Sequence, residues 1–303
     1  VAPPAATAAP ARTRRAPGAA TKVPPPATQE LVPNQAEEPV DIAQTAINTI
    51  ANPRPPATKQ APAEPSDTTA PDPGAEVPQG AVPPAGEAVR NYAIPGSVRL
   101  KYEIRGEAKR FPYFASGELL WLQDGKTYDS RLEISHILLG SRVRTSTGQI
   151  TRNGLEPTRF GDKVRSEVAA HFEYAKGKVV FSANTPDAPL LPGAQDELSI
   201  FMQLSAMLAG EPAKFPPRTE VPFQTVGPKS SELWVFVVGE AEQLTLPGGT
   251  VRAVKLSRAR RGEYDANVDV WLAPEHNYLP LRIRLSYLNG DFADQQWRAT
   301  QAP

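Results

Sequence analysis

The sequence has no cysteine and only three histidines among its 303 residues. The absence of cysteine excludes disulfides, thiolate nucleophiles, zinc–thiolate sites and iron–sulfur clusters. His136, His171 and His276 lie far apart, and none has a second ligand-type residue at a metal-site spacing. We therefore expect no metal site and no cofactor, and we assign each histidine a structural or solvated role.

An excess of charge and a long apolar run are also missing. Lys plus Arg and Asp plus Glu number 33 each, so no net positive field attracts nucleic acid, and we expect no nucleic-acid partner. No run approaches the roughly 18–20 apolar residues of a membrane-spanning helix.

Catalytic motifs are absent as well: the sequence contains no Gly-x-Ser-x-Gly elbow, no Ser-x-x-Lys, no Walker loop and no Gly-x-Gly-x-x-Gly. We expect no catalytic residues and a non-enzymatic protein. Scattered carboxylates at Asp265, Asp269, Asp291 and Asp294 leave a cell-envelope hydrolase open as an alternative, because a pair of carboxylates can cleave glycosidic bonds.

Aromatic residues are missing from residues 1–90, and every one of them lies from Tyr92 onward. Of the 34 prolines, 20 occur up to Pro95. Such a composition cannot bury enough apolar surface to offset the entropy of ordering the backbone. We predict a disordered Pro/Ala-rich tether over residues 1–95 and a single β-rich domain over residues 96–300. Residues 40–51 have helical spacing and predict a short helix that either docks on a partner or has no role.

The folded region reads as a series of paired strands. Residues 98–105 alternate apolar and charged side chains, which is typical of a half-buried strand. Asp124-Gly125 separates apolar runs at residues 114–123 and 127–136, which indicates a hairpin. Further pairs are predicted at residues 167–174 with 178–181, 243–246 with 250–258, and 267–272 with 281–288, followed by a strand at 292–298. We predict a mainly β fold of roughly a dozen strands, an antiparallel meander sheet curved into a half-barrel or barrel-like shell.

The pair 267–272 and 281–288 also predicts a register. The residues expected to face the core are Val268, Val270, Leu272, Leu281, Ile283 and Leu285. On the other face we expect an ion pair between Asp269 and Arg284, and a cation–aromatic contact between Trp271 and Arg282.

One segment of the folded region has helical spacing. Apolar residues recur every three and four positions over residues 196–209, and Gly210 marks the end. More than one face is apolar, so we predict a helix buried on the concave side of the sheet. Residues 119–122 and 233–238 are apolar on both strand faces, which indicates either a plain core or a cavity for an apolar ligand. The candidate ligand-binding residues are Trp121, Phe201, Leu204, Trp234 and Phe236.

Several strings recur in a fixed order over residues 98–297. They are Tyr102 and Gly106, Gly148-Gln149-Ile150 followed by Gly154-Leu155-Glu156-Pro157, Gln195-Asp196-Glu197-Leu198-Ser199, and Val270-Trp271-Leu272-Ala273-Pro274 before Leu279-Pro280. In these strings the sequence resembles the domain of unknown function family 3108. The resemblance implies an exported protein of Gram-negative bacteria without an established activity. A sheet around a helix is also similar to the half-barrels of periplasmic lipoprotein carriers, which hold acyl chains on their concave side.

We therefore expect a monomeric, non-enzymatic domain in the periplasm that binds an apolar or lipid-like ligand or an envelope protein. Because the sequence begins with Val1, we expect an upstream signal peptide, cytoplasmic head or membrane anchor, the last of which would tether the domain to the inner membrane. A structural interaction module with a filled core is a further alternative. An apolar concave pocket, convergent carboxylates or a filled interior would distinguish the three hypotheses.

Overall fold

The computed structural model describes residues 91–136 and 140–303. The predicted helix at residues 40–51 and nearly all of the predicted tether lie outside these residues. The described chain forms a 15-stranded sheet, which is mainly antiparallel, and one α-helix. The predicted fold class is therefore confirmed.

The first half of the sheet contains the strands β1 (Val98–Ala108), β2 (Phe111–Gln123), β3 (Thr127–His136), β4 (Gly140–Thr151), β5 (Gly154–Lys163), β6 (Glu167–Glu173), β7 (Lys178–Phe181) and β8 (Ala188–Pro189). The second half contains β9 (Gln195–Asp196), the helix α1 (Ser199–Gly210), β10 (Glu220–Val226), β11 (Ser231–Leu246), β12 (Gly249–Arg258), β13 (Asn267–Ala273), β14 (Leu279–Ser286) and β15 (Phe292–Gln301). Short 3-10 turns lie at Tyr174–Lys176, Pro212–Lys214 and Pro274–His276.

The sheet is a meander with one crossing. From β1 in the middle, each strand to β8 pairs with the one before it, until one edge is reached. The chain then crosses to the other edge at β9 and steps back until β15 pairs with β1. Strands β9 and β10 are parallel, and the other pairs are antiparallel.

The sheet curves around α1. This helix contacts β5 in one half of the sheet and β14 in the other. The two strands are separated by six strand spacings, which in a flat sheet would amount to roughly 29 Å, about three helix diameters. One helix can reach both strands only if the sheet bends around it, and the predicted buried helix on the concave side is confirmed.

The two edges approach each other without forming a ladder. Only five residues, 190–194, connect β8 to β9, so the edges cannot be far apart. The Gln224 side chain bridges them: its Nε2 donates to the Pro189 carbonyl (2.6 Å) and its Oε1 accepts from Leu191 N–H (2.7 Å). In the described chain, the sheet is therefore curved but not closed into a barrel.

The chain enters the domain across the end of α1. Ala93 N–H donates to the Ala206 carbonyl (3.0 Å), and the Pro95 carbonyl accepts from the Trp121 indole (2.9 Å). A Cβ on Gly210 would lie 2.1 Å from the Asn91 carbonyl oxygen, so only glycine permits this approach. Residues 91–95, which the sequence interpretation assigns to the tether, thus pack on the folded domain.

The β13–β14 register is confirmed, but one of its predicted contacts is wrong. Asp269 is opposite Arg284, and the Arg282 guanidinium lies 4.5 Å from the Trp271 ring centroid. Arg284 instead faces Asp294 of β15, at 3.4 Å. Asp269 pairs with β12, where it accepts from the Ser257 hydroxyl at 2.6 Å and Lys255 approaches at 3.3 Å. The neighbouring strands therefore provide nearer partners than the direct cross-strand pair.

Candidate functional site

A cavity lies inside the curved sheet at the end that carries the turns at residues 109–110, 259–266 and 287–291. We call this end of the sheet the upper end and the cavity the upper cavity. Its volume is about 40 Å³, room for one to three water-sized groups. Its apolar wall is formed by Leu132, Ile134, Phe201, Trp234, Ala266, Val268, Ile283 and Leu285. Its polar groups come from Arg144, Glu197, Arg258, Asp265 and Gln295.

The structure brings together some of the sequence-predicted site residues. Phe201 from α1 and Trp234 from β11 both line the upper cavity. Leu204 and Phe236 are fully buried in the same apolar cluster but do not reach the cavity. Trp121 belongs to a different cluster, where its ring stacks on Tyr128 with centroids 5.2 Å apart. Two of the five candidates therefore lie at the site, two support it and one is remote.

One polar wall belongs to a group of buried charges, Arg142, Arg144, Asp162 and Glu197, that we call the buried charge quartet. Arg142 Nε donates to Asp162 Oδ1 at 2.7 Å, and its Nη2 donates to the other carboxylate oxygen. Arg144 Nε lies 3.5 Å from Asp162 and its Nη2 lies 3.0 Å from Glu197. Two cations and two anions balance, so the quartet stays neutral inside the sheet.

Opposing effects act on the pKa of Asp162. Burial alone would raise it, but the charge of Arg144 and the hydrogen bonds and charge of Arg142 outweigh burial, so the pKa lies below its ordinary value. Asp162 is therefore ionised at neutral pH.

Sequence reasoning missed this wall because the alternation in β4 is inverted. The pattern Arg142-Val143-Arg144 favours an inward valine, yet both arginines are buried and Val143 is only half-buried. The two arginines can face inward only because β5 and the residues before α1 supply Asp162 and Glu197 as buried partners. Only the pairing of these distant segments, and no local pattern, identifies this polar wall.

The second polar wall is built on Arg258. Its guanidinium stacks on Trp234 at 4.3 Å from the ring centroid. Its Nη2 donates to both oxygens of Asp265 (2.9 and 2.7 Å), and its Nη1 donates to the Ala266 carbonyl (2.5 Å). Arg258 Nε and Gln295 Oε1 are buried without a hydrogen-bond partner in the described chain. Beside the cavity, Arg258 thus retains one unused donor and Gln295 one unused acceptor, and both are available to a polar group of a ligand.

The Gln195–Ser199 string of the family resemblance forms a buried polar junction at the start of α1. Asp196 Oδ1 accepts from the N–H groups of Leu198 (2.8 Å) and Ser199 (2.7 Å), and its Oδ2 accepts from the Ser146 hydroxyl of β4 (2.5 Å). The Gln195 amide donates to the carbonyl of Leu155 (2.8 Å), which belongs to the Gly154–Pro157 string. Strings far apart in sequence therefore meet, and they set where α1 begins.

The helix was predicted to begin at residue 196 and begins at Ser199 instead. Gln195 and Asp196 pair with β10 and remain extended. The Asp196 carboxylate caps the helix from outside its first turn. Burial raises the pKa of Asp196 to about 6, although its hydrogen bonds oppose this.

This pKa gives a prediction for the Asp196→Asn variant. The folded protein binds a proton near pH 6, which the unfolded chain binds only near pH 4. Ionised Asp196 therefore costs stability above pH 6, and the cost disappears as the pH falls to 4; it amounts to about 3 kcal/mol at most. The amide can still accept from the helix N–H groups and donate to Ser146. We expect Asp196→Asn to be more stable than the parent protein at pH 7.5 and equal to it at pH 4.

Denaturant unfolding at both pH values measures this difference. The matched control is Asp124→Asn in the exposed β2–β3 turn, where hydrogen bonds from Thr127 and Lys126 lower the pKa of Asp124. It should show no gain at pH 7.5. A loss of stability for Asp196→Asn at pH 7.5 would contradict the assignment.

The carboxylates considered for a hydrolase are each engaged elsewhere. Asp265 is bound by Arg258, Asp269 by Ser257 and Asp294 by Arg282, while Asp291 accepts from the backbone N–H of Lys109. No group of three or more His, Asp or Glu side chains suited to a metal is found within the described residues. Nor does the described part of the chain include a helix long and apolar enough to cross a membrane.

A sequence model of the family described as "Protein of unknown function (DUF3108)" matches residues 121–294. The chain belongs to this family. The resemblance inferred from the ordered strings is thereby confirmed over most of the folded region. A search among curated proteins gave no significant match.

Three solved structures are similar to the chain at low levels. A β-barrel-like protein of the domain of unknown function DUF1849 from Brucella abortus is 14% identical with a TM-score of 0.45, covering 71% of this chain and 99% of that one. A putative outer membrane lipoprotein-sorting protein domain from Vibrio parahaemolyticus is 11% identical with a TM-score of 0.24, covering 70% and 87%. A LolA superfamily protein from Nitrosomonas europaea is 8% identical with a TM-score of 0.24, covering 71% and 90%. With these TM-scores, functional inference depends on the site itself.

Proposed function

We propose that this domain binds a lipid-like molecule, whose apolar chain enters the upper cavity and whose polar group meets Arg258 and Gln295, and that it does no chemistry on it. The observation that carries the proposal is the composition of the cavity. Eight apolar residues surround a space that is also lined by Arg258 and Gln295, whose side chains keep one donor and one acceptor without partners in the described chain. An apolar pocket with a few convergent polar groups is the usual form of a small-molecule site.

The size of the cavity sets a condition on binding. Ligand pockets typically measure about 300–1,000 Å³, whereas the upper cavity measures about 40 Å³. A complete acyl chain therefore requires the site to widen. The part best able to move is the β12–β13 connection at residues 259–266, because it is a loop on the rim, whereas Phe201 is held by a buried helix. We propose that this loop moves outward when the ligand enters.

Thermal unfolding of the full chain with fatty acids of increasing length tests the proposal. At a free ligand concentration one hundred times Kd, mass action should raise Tm by roughly 5–10 °C. Leu285→Trp should abolish the shift because Leu285 lines the cavity. The matched control is Leu288→Trp, which lies in the following turn, is 54% exposed and does not line the cavity. It should keep the shift.

Native mass spectrometry of the chain purified from a Gram-negative periplasm should show the added mass of a bound ligand. The Leu285→Trp variant should lack this added mass.

A second candidate function is an interaction module with a filled core. Two observations favour it: the cavity is small, and apolar side chains on the outer face of β11 are exposed, Leu233 at 54% and Val237 at 39%. The absence of any saturable thermal shift, together with cross-links from β11 to an envelope protein, would favour this candidate over ligand binding.

We also propose a periplasmic location, with the monomeric domain tethered to the inner membrane through its Pro-rich N-terminal region. The composition of residues 1–90 supports a spacer, since Pro-rich segments remain extended and can span roughly 50 Å or more. Protease treatment of intact spheroplasts should degrade the protein. Protection equal to that of a cytoplasmic marker would contradict this location.

A further inference from the structure

The turn between β1 and β2 violates the usual residue preference of its backbone. Lys109 and Arg110 connect the paired residues Ala108 and Phe111, and both have positive φ, +51° and +68°. A two-residue hairpin turn with two positive φ angles favours Asn-Gly, because a Cβ strains the left-handed conformation. Two long cationic side chains are therefore held where shorter residues would stabilise the fold more. A local conflict of this kind indicates a role other than folding.

The residues beside the turn are aromatic and exposed. Phe111 is 59% exposed and Phe114 is 68% exposed, the highest exposure among the large hydrophobic side chains of the described residues. The side chains of Lys109 and Arg110 are exposed and make no ion pair with the described residues. Arg105 lies beside Phe114 in the register and is also largely exposed, but its guanidinium lies 3.9 Å from the Glu103 carboxylate. Two rings and two cations without an ion-pair partner among the described residues thus project from one end of a hairpin.

We propose that this hairpin tip, Lys109, Arg110, Phe111 and Phe114, docks on an anionic lipid surface. Phenyl rings enter the interface between headgroups and acyl chains, and cations meet the anionic headgroups. The tip is too narrow for a standard protein interface, which needs about 800 Å² on each partner. A few aromatic side chains with adjacent cations are enough for interfacial binding, so a membrane is the occupant that fits.

The hairpin tip and the upper cavity lie at the same end of the sheet. Strands β1 and β2 meet at the upper end of the sheet, the same end that holds the upper cavity. Strand β3, which supplies Leu132 and Ile134 to the cavity, pairs with β2, and β15, which supplies Gln295, pairs with β1. Docking through the tip would therefore turn the cavity towards the lipid. The docking proposal itself depends only on the tip and holds whether or not the cavity binds a ligand.

Co-sedimentation of the full chain with vesicles tests the proposal. Vesicles of equal parts phosphatidylethanolamine and phosphatidylglycerol should bind the chain, and vesicles of phosphatidylcholine should bind it much more weakly. Lys109→Gln with Arg110→Gln should reduce the partition coefficient on the anionic vesicles by about 30-fold. Phe111→Ser with Phe114→Ser should reduce it by at least about 10-fold on both compositions.

Matched controls lie at the other end of the same strand. Leu122 is exposed on β2 at 38%, and Lys126 is exposed in the following turn. Leu122→Ser and Lys126→Gln should leave the partition coefficient unchanged. Loss of binding in these controls equal to that in the tip variants would contradict docking through the tip.

A turn exchange separates docking from folding. Lys109→Asn with Arg110→Gly supplies the residues that the backbone prefers, so Tm should rise by about 2–4 °C. The same variant should lose the binding to anionic vesicles. A parent chain that does not bind these vesicles, a turn variant that binds as well as the parent, or capture of the tip by an envelope protein instead of vesicles would overturn the proposal.

Discussion

Replacing Asp162 with alanine is expected to lower the free energy of unfolding by about 3–5 kcal/mol. Asp162 accepts two hydrogen bonds from Arg142 and lies 3.5 Å from Arg144, and all three side chains are nearly inaccessible to water. Without the carboxylate, two guanidinium groups would face each other inside the sheet with Glu197 as their remaining acid in the quartet. An uncompensated buried charge is more costly than the loss of the pair itself.

A double variant distinguishes these two costs. Arg142→Met together with Asp162→Leu removes one cation and one anion, so Arg144 and Glu197 remain balanced. We expect the double variant to recover most of the stability that Asp162→Ala loses. Denaturant unfolding of the full chain measures both. A loss below about 1 kcal/mol for Asp162→Ala, or a double variant no better than the single, would contradict the role assigned to the quartet.

Trp121→Ala is expected to be of similar severity, about 3–5 kcal/mol, because a fully buried indole leaves a cavity. The ring stacks on Tyr128, and its N–H donates to the Pro95 carbonyl at 2.9 Å. Trp121→Phe keeps most of the packing and removes the N–H, so it should cost about 1 kcal/mol.

The same variant tests the boundary of the folded domain. Limited proteolysis of the parent chain should leave a resistant fragment that starts near Asn91, since residues 91–95 pack on α1 and Trp121. In Trp121→Phe the cleavage should move towards Val98. Trp297→Phe is the control, because its indole donates to the exposed Thr300, and its fragment should be unchanged. Equal protection of the Pro-rich region in the parent chain would contradict the predicted tether.

Alternation predicted the strands where one face of the sheet is apolar and the other polar. Strand β1 is an example, with Leu100, Tyr102 and Ile104 buried between partly exposed charged residues. It failed in β4, where buried arginines take the place of apolar residues and no pattern of period two marks the core face. The fusion of two predicted strands into the 16-residue β11 was also missed, because a bulge between Val238 and Ala241 shifts the facing in the middle.

The sequence predicted only part of the candidate site, again because contacts between distant strands leave no local pattern. Phe201 and Trp234 are large apolar residues on the predicted helix and on a strongly apolar strand, and composition alone indicates them. Arg258 gave no local signal, and Asp265 was considered only as a hydrolase carboxylate, because their pairing depends on the β12–β13 connection folding over Trp234. Trp121 resembles Trp234 in sequence but packs in another cluster. A cavity depends on which strands end up facing each other, and strand periodicity does not contain that information.

A lipid-like chain in the upper cavity would lie next to Trp234, and short-range quenching tests this occupancy most directly. A fatty acid brominated along its chain should quench the tryptophan emission of the full chain saturably. Of the four tryptophans, Trp234 is the one that lines the cavity, so Trp234→Phe should remove the quenching. Trp297→Phe should retain it. Absence of saturable quenching, or quenching that persists unchanged in Trp234→Phe, would contradict the account.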